Sequence, residues 1–301
     1  MSIVIKTHNC AVGIRDRHRN RRQKICESIE VVRDINYAND DDQEQTLDIY
    51  IQRDSENLGT IINVHGGSWV YGNKEIYSFY SALLSQYGFA VVNINYRLAP
   101  KHTIDSQLED VNSALNFIEA NGSEYNLNTE NVFLVGDSAG AHLVSLYMCI
   151  LNSIELQEIF PFVKTNLNIR AMGLCCGTFD FNLLRTKINP IMRPFISSFI
   201  NATFGKGYKS INMDNYSTLN HIDSKFPATF LITSKRDFTK FMSLKIKEKL
   251  VQHNIRHEYD EYRRGGHIFH LNLRSKESTQ AAQAMCDFFK EQLHGPPPPL
   301  H

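Results

Sequence analysis

An excess of either charge is missing from this 301-residue chain: 32 Lys and Arg are offset by 32 Asp and Glu. That balance argues against broad electrostatic binding to nucleic acid or to an acidic membrane surface. No window of 18 apolar residues occurs, so no membrane-spanning helix is expected. The start, Met1-Ser2-Ile3-Val4-Ile5-Lys6-Thr7-His8, lacks the basic-then-apolar order of a secretory leader. The six cysteines include no C-x-x-C pair. Buried free thiols in a reducing compartment are the simplest reading of them, and the cytoplasm is the expected location.

What is present is an ordinary globular composition, 42% hydrophobic and 21% charged. A chain of this length buries a sizeable core and needs neither disulfide nor metal to fold. Strand-like runs fall at 29–35, 47–52, 60–64, 90–95, 132–135, 171–175, 228–233 and 256–262. Several are almost wholly apolar, as in strands covered on both faces. Helical spacing fills the gaps: Leu108, Val111, Leu115 and Ile118 in one, Ala281, Met285, Phe288 and Phe289 in another. The expected fold is α/β, a mixed, mostly parallel eight-stranded sheet with helices on both faces. No linker or repeat divides it, so residues 1–294 read as one domain, with 1–28 as an N-terminal segment. Residues 179–224 break the strand–helix beat and carry Phe195, Phe199 and Phe204, so they read as a small helical cap with apolar walls. The proline-rich tail, 295–301, reads as unpacked.

One motif carries chemistry. Gly136-Asp137-Ser138-Ala139-Gly140 follows the apolar run Val132-Phe133-Leu134-Val135 and precedes a helical pattern. A serine on a sharp strand-to-helix turn is lifted clear of the sheet edge, where a base can take its proton. The base and its orienting acid are expected later, in the order Ser, Asp, His. Asp237 follows the strand 228–233. His267 follows the strand 256–262, in a loop whose Gly265 and Gly266 let the ring swing back over Ser138. His270 is the rival base, three residues on, and Asp180 the rival acid, after the strand 171–175. His267 and His270 stand at i and i+3, but no third and fourth metal ligand clusters with them, so no metal or other cofactor is expected.

The oxyanion donors are expected after the third strand, in Val64-His65-Gly66-Gly67-Ser68-Trp69. Paired glycines let backbone N–H groups approach an anion, so Gly66 and Gly67 are expected to act with the N–H of Ala139. His65 reads as a structural group. So does Arg97, in Asn95-Tyr96-Arg97-Leu98-Ala99-Pro100. The basic stretch from Arg15 to Lys24 reads as the solvated face of an N-terminal helix, not as a nucleic-acid patch, because the whole chain is neutral.

These residues together resemble the hormone-sensitive-lipase-type branch of the α/β-hydrolases, over roughly residues 45–293. Within that branch His65-Gly66-Gly67-Ser68-Trp69 resembles kynurenine formamidase (arylformamidase) more than the esterases, which usually carry a third glycine. The resemblance implies an acyl-enzyme mechanism with Ser138, Asp237 and His267 catalytic, and hydrolysis of N-formyl-L-kynurenine to L-kynurenine and formate. Ser68, Trp69 and Tyr71 are the expected substrate contacts, with Arg193 a candidate partner for the substrate carboxylate. A small molecule is the expected partner, without nucleic acid or membrane, and a homodimer is left open. The alternative is a carboxylesterase of short acyl esters, since the same triad serves both and pocket shape separates them. A non-catalytic binding protein on this fold is the third reading, and such a protein would be expected to lack a triad member.

Overall fold

Strands with apolar residues at consecutive positions bury both faces, and the inner strands of this sheet are of that kind, whereas its two outermost strands are only partly buried. The computed structural model describes residues 2–21, 23–38, 42–205 and 210–293. Its strands are β1 (Ile29–Asn36), β2 (Thr46–Gln52), β3 (Thr60–Val64), β4 (Ala90–Ile94), β5 (Val132–Asp137), β6 (Ile169–Cys175), β7 (Ala228–Ser234) and β8 (His257–Tyr262). The expected runs match these within two residues at each end. The sheet order is β1-β2-β4-β3-β5-β6-β7-β8. β2 is antiparallel to both β1 and β4, and the remaining pairs are parallel.

Alternate residues feed two cores. Ile62, Val92 and Leu134 point to one face, where they meet α3 (Ile104–Asn121), α4 (Ala139–Asn152) and α9 (Lys240–Gln252). Ile61, Val91 and Phe133 point to the other, against α2 (Lys74–Ser85) and α10 (Lys276–Glu291). Chain order reverses at β3: β4 lies on one side of it and β5 on the other. In open α/β sheets a crevice forms beyond the C-terminal strand ends at such a reversal.

Above that crevice lie α6 (Phe181–Lys187), α7 (Arg193–Phe204), a 3-10 turn at Met213–Tyr216 and α8 (Thr218–His221), with α5 (Ile154–Ile159) off to the side. Phe204 packs at 4.9 Å from both Phe181 and Tyr216. Asp180 fastens these pieces, accepting from Leu183 N–H and from Ser217 Oγ, each at 2.6 Å.

The N-terminal helix, α1 (Ile3–Asn20), departs from expectation. Arg15, Arg17, His18 and Arg21 of its basic stretch are exposed as expected, but Asp16 and Arg19 between them are not. Asp16 is buried and pairs with Arg19 at 2.9 Å. Asn9 donates to Val70 O at 3.0 Å and Asn20 to Ile76 O at 3.1 Å. Ile3 and Ile14 stay exposed, so polar anchors rather than a broad apolar stripe dock this helix. Of the free cysteines, Cys149, Cys175, Cys176 and Cys286 are buried as expected, whereas Cys10 and Cys26 are exposed. Among the described residues no helix is long and apolar enough to cross a membrane. The tail 295–301 lies outside the described residues.

Candidate active site

Ser138 sits where β5 ends and α4 begins, with φ of 51° and ψ of −112°. A non-glycine residue held there is strained, and such strain concentrates at functional turns. The turn is that tight because its neighbours nearly touch other backbone. A Cβ on Gly140 would lie 2.0 Å from Val64 O, so only glycine fits. Ser138 N–H donates to Cys175 O at 3.0 Å, which ties the elbow to β6.

The structure brings Ser138, His267 and Asp237 together. Ser138 Oγ lies 2.9 Å from His267 Nε2, and His267 Nδ1 lies 2.7 Å from Asp237 Oδ1. A carboxylate only accepts, so Nδ1 carries the proton and Nε2 is left to accept from the serine. Burial by itself raises the Asp237 pKa. The His267 hydrogen bond and charge, with donors from Thr239 and Thr233, outweigh it and hold the acid at about 2. Asp237 therefore stays ionised and fixes the imidazole tautomer. Phe238, which the sequence reading missed, lies with its ring 4.4 Å from that of His267.

The rivals are elsewhere. His270 is buried against Tyr80, ring centroids 4.9 Å apart, and burial lowers its pKa to about 3. Asp180 is occupied as the α6 cap. Arg193 is exposed and donates to Thr186 O at 2.9 Å, so it braces the cap and is not a partner for substrate.

The loop after β3 corrects one expectation. Gly66 N–H points into the protein, to Asp137 Oδ1 at 3.0 Å and Tyr77 Oη at 2.9 Å. It is not free for an oxyanion. Burial raises Asp137 to about 6 against the pull of Tyr77. Beyond Gly66 the backbone turns left-handed three times, with φ of 131° at Gly67, 54° at Ser68 and 61° at Trp69. The N–H groups of Gly67, Ser68 and Ala139 have no hydrogen-bond partner among the described residues. Such runs of N–H groups form anion-binding concavities. His65 is structural as expected, stacked on Tyr96 at 4.2 Å. The Asn95–Pro100 segment braces the loop from behind. Ala99 N–H and Gln107 Nε2 both donate to Trp69 O, at 3.0 and 2.8 Å, and Arg97 pairs with Asp110 at 2.7 Å.

Two hollows flank Ser138. One, of about 20 Å³, is lined by Trp69, Leu184, Ile196, Phe199 and Phe238, with no charged side chain. Trp69 is a buried wall of it, tilted against Phe181 and edge-on to His142 rather than open to solvent. Phe199 reaches the hollow, whereas Phe195 is exposed and Phe204 is packed inside the cap. The other hollow, about 70 Å³, runs under α1 and is lined by Gly67, Ser68, Tyr71 and His267 together with α1 residues. Tyr71 Oη donates to Asp16 Oδ2 at 2.9 Å, so it anchors α1 besides facing the hollow. A far larger groove, about 990 Å³, lies away from this site along Asn116, Glu119, Asn152 and Lys225, and holds none of the triad.

Cys176, Asp237 and His267 place potential metal-ligand atoms within 4.8 Å of one another. Burial pushes the Cys176 thiol well up, keeping it protonated, and a cation there would have to displace the Asp237–His267 hydrogen bond.

A family model named BD-FAE matches residues 47–249. The chain belongs to the BD-FAE family. It is similar to the probable carboxylic ester hydrolase LipM of Mycobacterium tuberculosis, 29% identical over 64% of this chain and 44% of that protein. It is also similar to esterase LipQ of the same organism, 26% identical over 65% of this chain and 46% of that one. The chain thus spans under half the length of these relatives. In fold it matches esterase B from Lactobacillus rhamnosis, TM-score 0.88 at 24% identity, over 96% of this chain and 95% of that one. A bacterial heroin esterase matches with TM-score 0.77 at 16% identity, over 97% and 92%. The fold is that of the α/β-hydrolases.

Proposed function

We propose that this chain is a carboxylesterase of short acyl esters, working through an acyl-enzyme on Ser138. The observation that carries the reading is the continuous Ser138–His267–Asp237 hydrogen-bond chain beside an apolar hollow of only about 20 Å³. That volume is about what one water needs, so a one- or two-carbon acyl chain fits and a longer one does not without the cap shifting.

In the first half-reaction His267 Nε2 takes the serine proton as Oγ attacks the carbonyl carbon. Negative charge moves onto the carbonyl oxygen, which faces the N–H groups of Gly67, Ser68 and Ala139. Each donor aimed at that oxygen is worth ~2.7–4 kcal/mol in the transition state. His267 then gives its proton to the departing alkoxide. Water repeats the sequence and frees the acid. Asp237 keeps its charge throughout and stabilises the imidazolium.

The esterase names of LipM and LipQ support this over the formamidase reading, which rests on Trp69. Trp69 is walled in by the cap, and its backbone position serves either chemistry. A formyl group is also small enough for the hollow, so N-formyl-L-kynurenine stays as the competing substrate. The deciding measurement is kcat/KM for 4-nitrophenyl acetate, 4-nitrophenyl butyrate and N-formyl-L-kynurenine. Acetate should exceed butyrate by about tenfold and N-formyl-L-kynurenine by more. N-formyl-L-kynurenine as the best substrate would overturn the proposal.

A further inference from the structure

One face of α1 is turned to the catalytic serine. His8, Val12, Arg15 and Asp16 stand at i, i+4, i+7 and i+8, one stripe of a helix, and all line the hollow that also holds Ser138 and His267. Two charged groups in that stripe differ. Asp16 is buried and already answered, by Tyr71 Oη at 2.9 Å and by Arg19 at 2.9 Å. Arg15 has neither ion pair nor hydrogen bond among the described residues, and its side chain is exposed at the mouth. Among the described residues Asp16 is the only acidic one in the lining, so beyond that neutralised pair the wall is left with one unanswered cation. Among the described residues, none that lines the hollow on the other side of Ser138 is charged.

We propose that α1 forms a recognition site for a carboxylate carried on the alcohol side of the ester, with Arg15 as its partner. The inference rests on the ester-hydrolase reading and names its substrate class. The acyl group takes the apolar hollow, so the alcohol part must lie under α1. A guanidinium presents a planar fork that fits a carboxylate two bonds at a time, and unlike an ammonium it loses little by partial burial. Its position is set by the neighbouring residue Asp16, which Arg19 of the same helix pairs with and Tyr71 ties to the loop that bears Gly67 and Ser68.

The test compares 4-acetoxybenzoate with phenyl acetate, the same acyl group with and without a carboxylate on the alcohol. Monophenyl succinate, with its carboxylate on the acyl side, is the positional control. Wild type should favour 4-acetoxybenzoate over phenyl acetate. Arg15→Glu should lower the ratio of their kcat/KM values by about tenfold, and Arg15→Lys should restore part of it. Lys6→Glu, an exposed change on the same helix outside the lining, should shift the ratio by less than about twofold. Monophenyl succinate should gain nothing from Arg15. Calorimetric titration with 4-hydroxybenzoate, which needs no turnover, should show a matching loss of affinity in Arg15→Glu. An unchanged ratio and unchanged 4-hydroxybenzoate affinity in Arg15→Glu would overturn the proposal while leaving the ester reading intact. A wild type that hydrolyses neither phenyl ester would refute the ester reading, and the 4-hydroxybenzoate titration would still decide Arg15.

Discussion

The two walls of the Ser138 cleft are made differently. The lower wall is made of strand ends. Gly67 and Ser68 follow β3, Ser138 follows β5, Asp237 follows β7 and His267 follows β8, each within a few residues of its strand's end. The upper wall is made of helices: α1 from the start of the chain, α6 and α7 from its middle. Strands paired in register fix the lower groups to one another. The helices of the upper wall are fixed by a few side-chain bonds, such as Tyr71 to Asp16 and Asp180 to Ser217. The lower wall is suited to hold a proton-transfer geometry, and the upper wall to select what enters.

That division predicts where the largest effects fall. His267→Ala should reduce kcat/KM on 4-nitrophenyl acetate by on the order of 10⁴–10⁶, as should Ser138→Ala, with little change in thermal midpoint for the serine variant. His270→Ala should behave oppositely. It empties a buried site beside Tyr80, so it should lower the urea midpoint while leaving kcat/KM within about threefold. A large rate loss in His270→Ala with His267→Ala active would exchange the two roles and break the account of the lower wall.

The same division explains what the sequence could show. The lower wall was legible because its signals are local. An apolar run marks a strand, and the residues after it, Gly136 to Gly140 or Gly265 to His267, mark the turn. The exception within that wall is Gly66. Its N–H is claimed by Asp137, which is 71 residues away in sequence, and Tyr77, and no spacing rule discloses a bond made across two loops. The upper wall was legible only in part: the break in the strand–helix beat marked the cap that holds α6 and α7, but nothing marked the docking of α1. α1 has a mixed face of His8, Val12, Arg15 and Asp16, and its exposed Ile3 and Ile14 blur the apolar pattern that reports the docked side of a helix. Its exposed basic residues were foreseen, but its docked side was not. Trp69 shows the same limit. Its place after the paired glycines was visible, but its burial under Phe181 depends on where the cap closes.

Buried histidines give a second contrast, smaller than the catalytic one. Burial holds His65 and His142 at about 4 and His270 at about 3, against 6.5 for a free imidazole. Their folded values are depressed, so the unfolded chain binds the extra protons first. Stability from them is complete above pH 6.5 and falls as pH drops toward 4. Asp137 runs the other way: raised to about 6 from 3.8, it adds stability as pH falls through that window. At pH 5 each imidazole costs ~2 kcal/mol and Asp137 returns ~1 kcal/mol, so the histidines prevail. The urea midpoint should therefore be clearly lower at pH 5 than at pH 7. His142 is the upper wall's share, since its Nε2–H donates to Tyr216 O at 2.7 Å. His142→Asn should flatten the pH dependence without abolishing it. A midpoint that is the same at both pH values would mean that these sites open to admit a charged ring.

The smallest effect is the most selective for the upper wall. Tyr71→Phe removes the hydroxyl that donates to Asp16 and leaves the ring in place. Losing one hydrogen bond to a buried charged acceptor costs about 1–2 kcal/mol. Because Arg19 still pairs with Asp16, the helix should remain docked but loosen. Amide exchange within α1 should accelerate by about tenfold, while exchange in β5 and β7 stays at the wild-type rate. Catalysis should follow the same line. If α1 only helps to position substrate, Tyr71→Phe raises KM more than it lowers kcat, because the strand-end groups that move the proton are untouched. A fall in kcat with KM unchanged would mean that α1 also steadies the Gly67–Ser68 loop, and the two walls would then act as one.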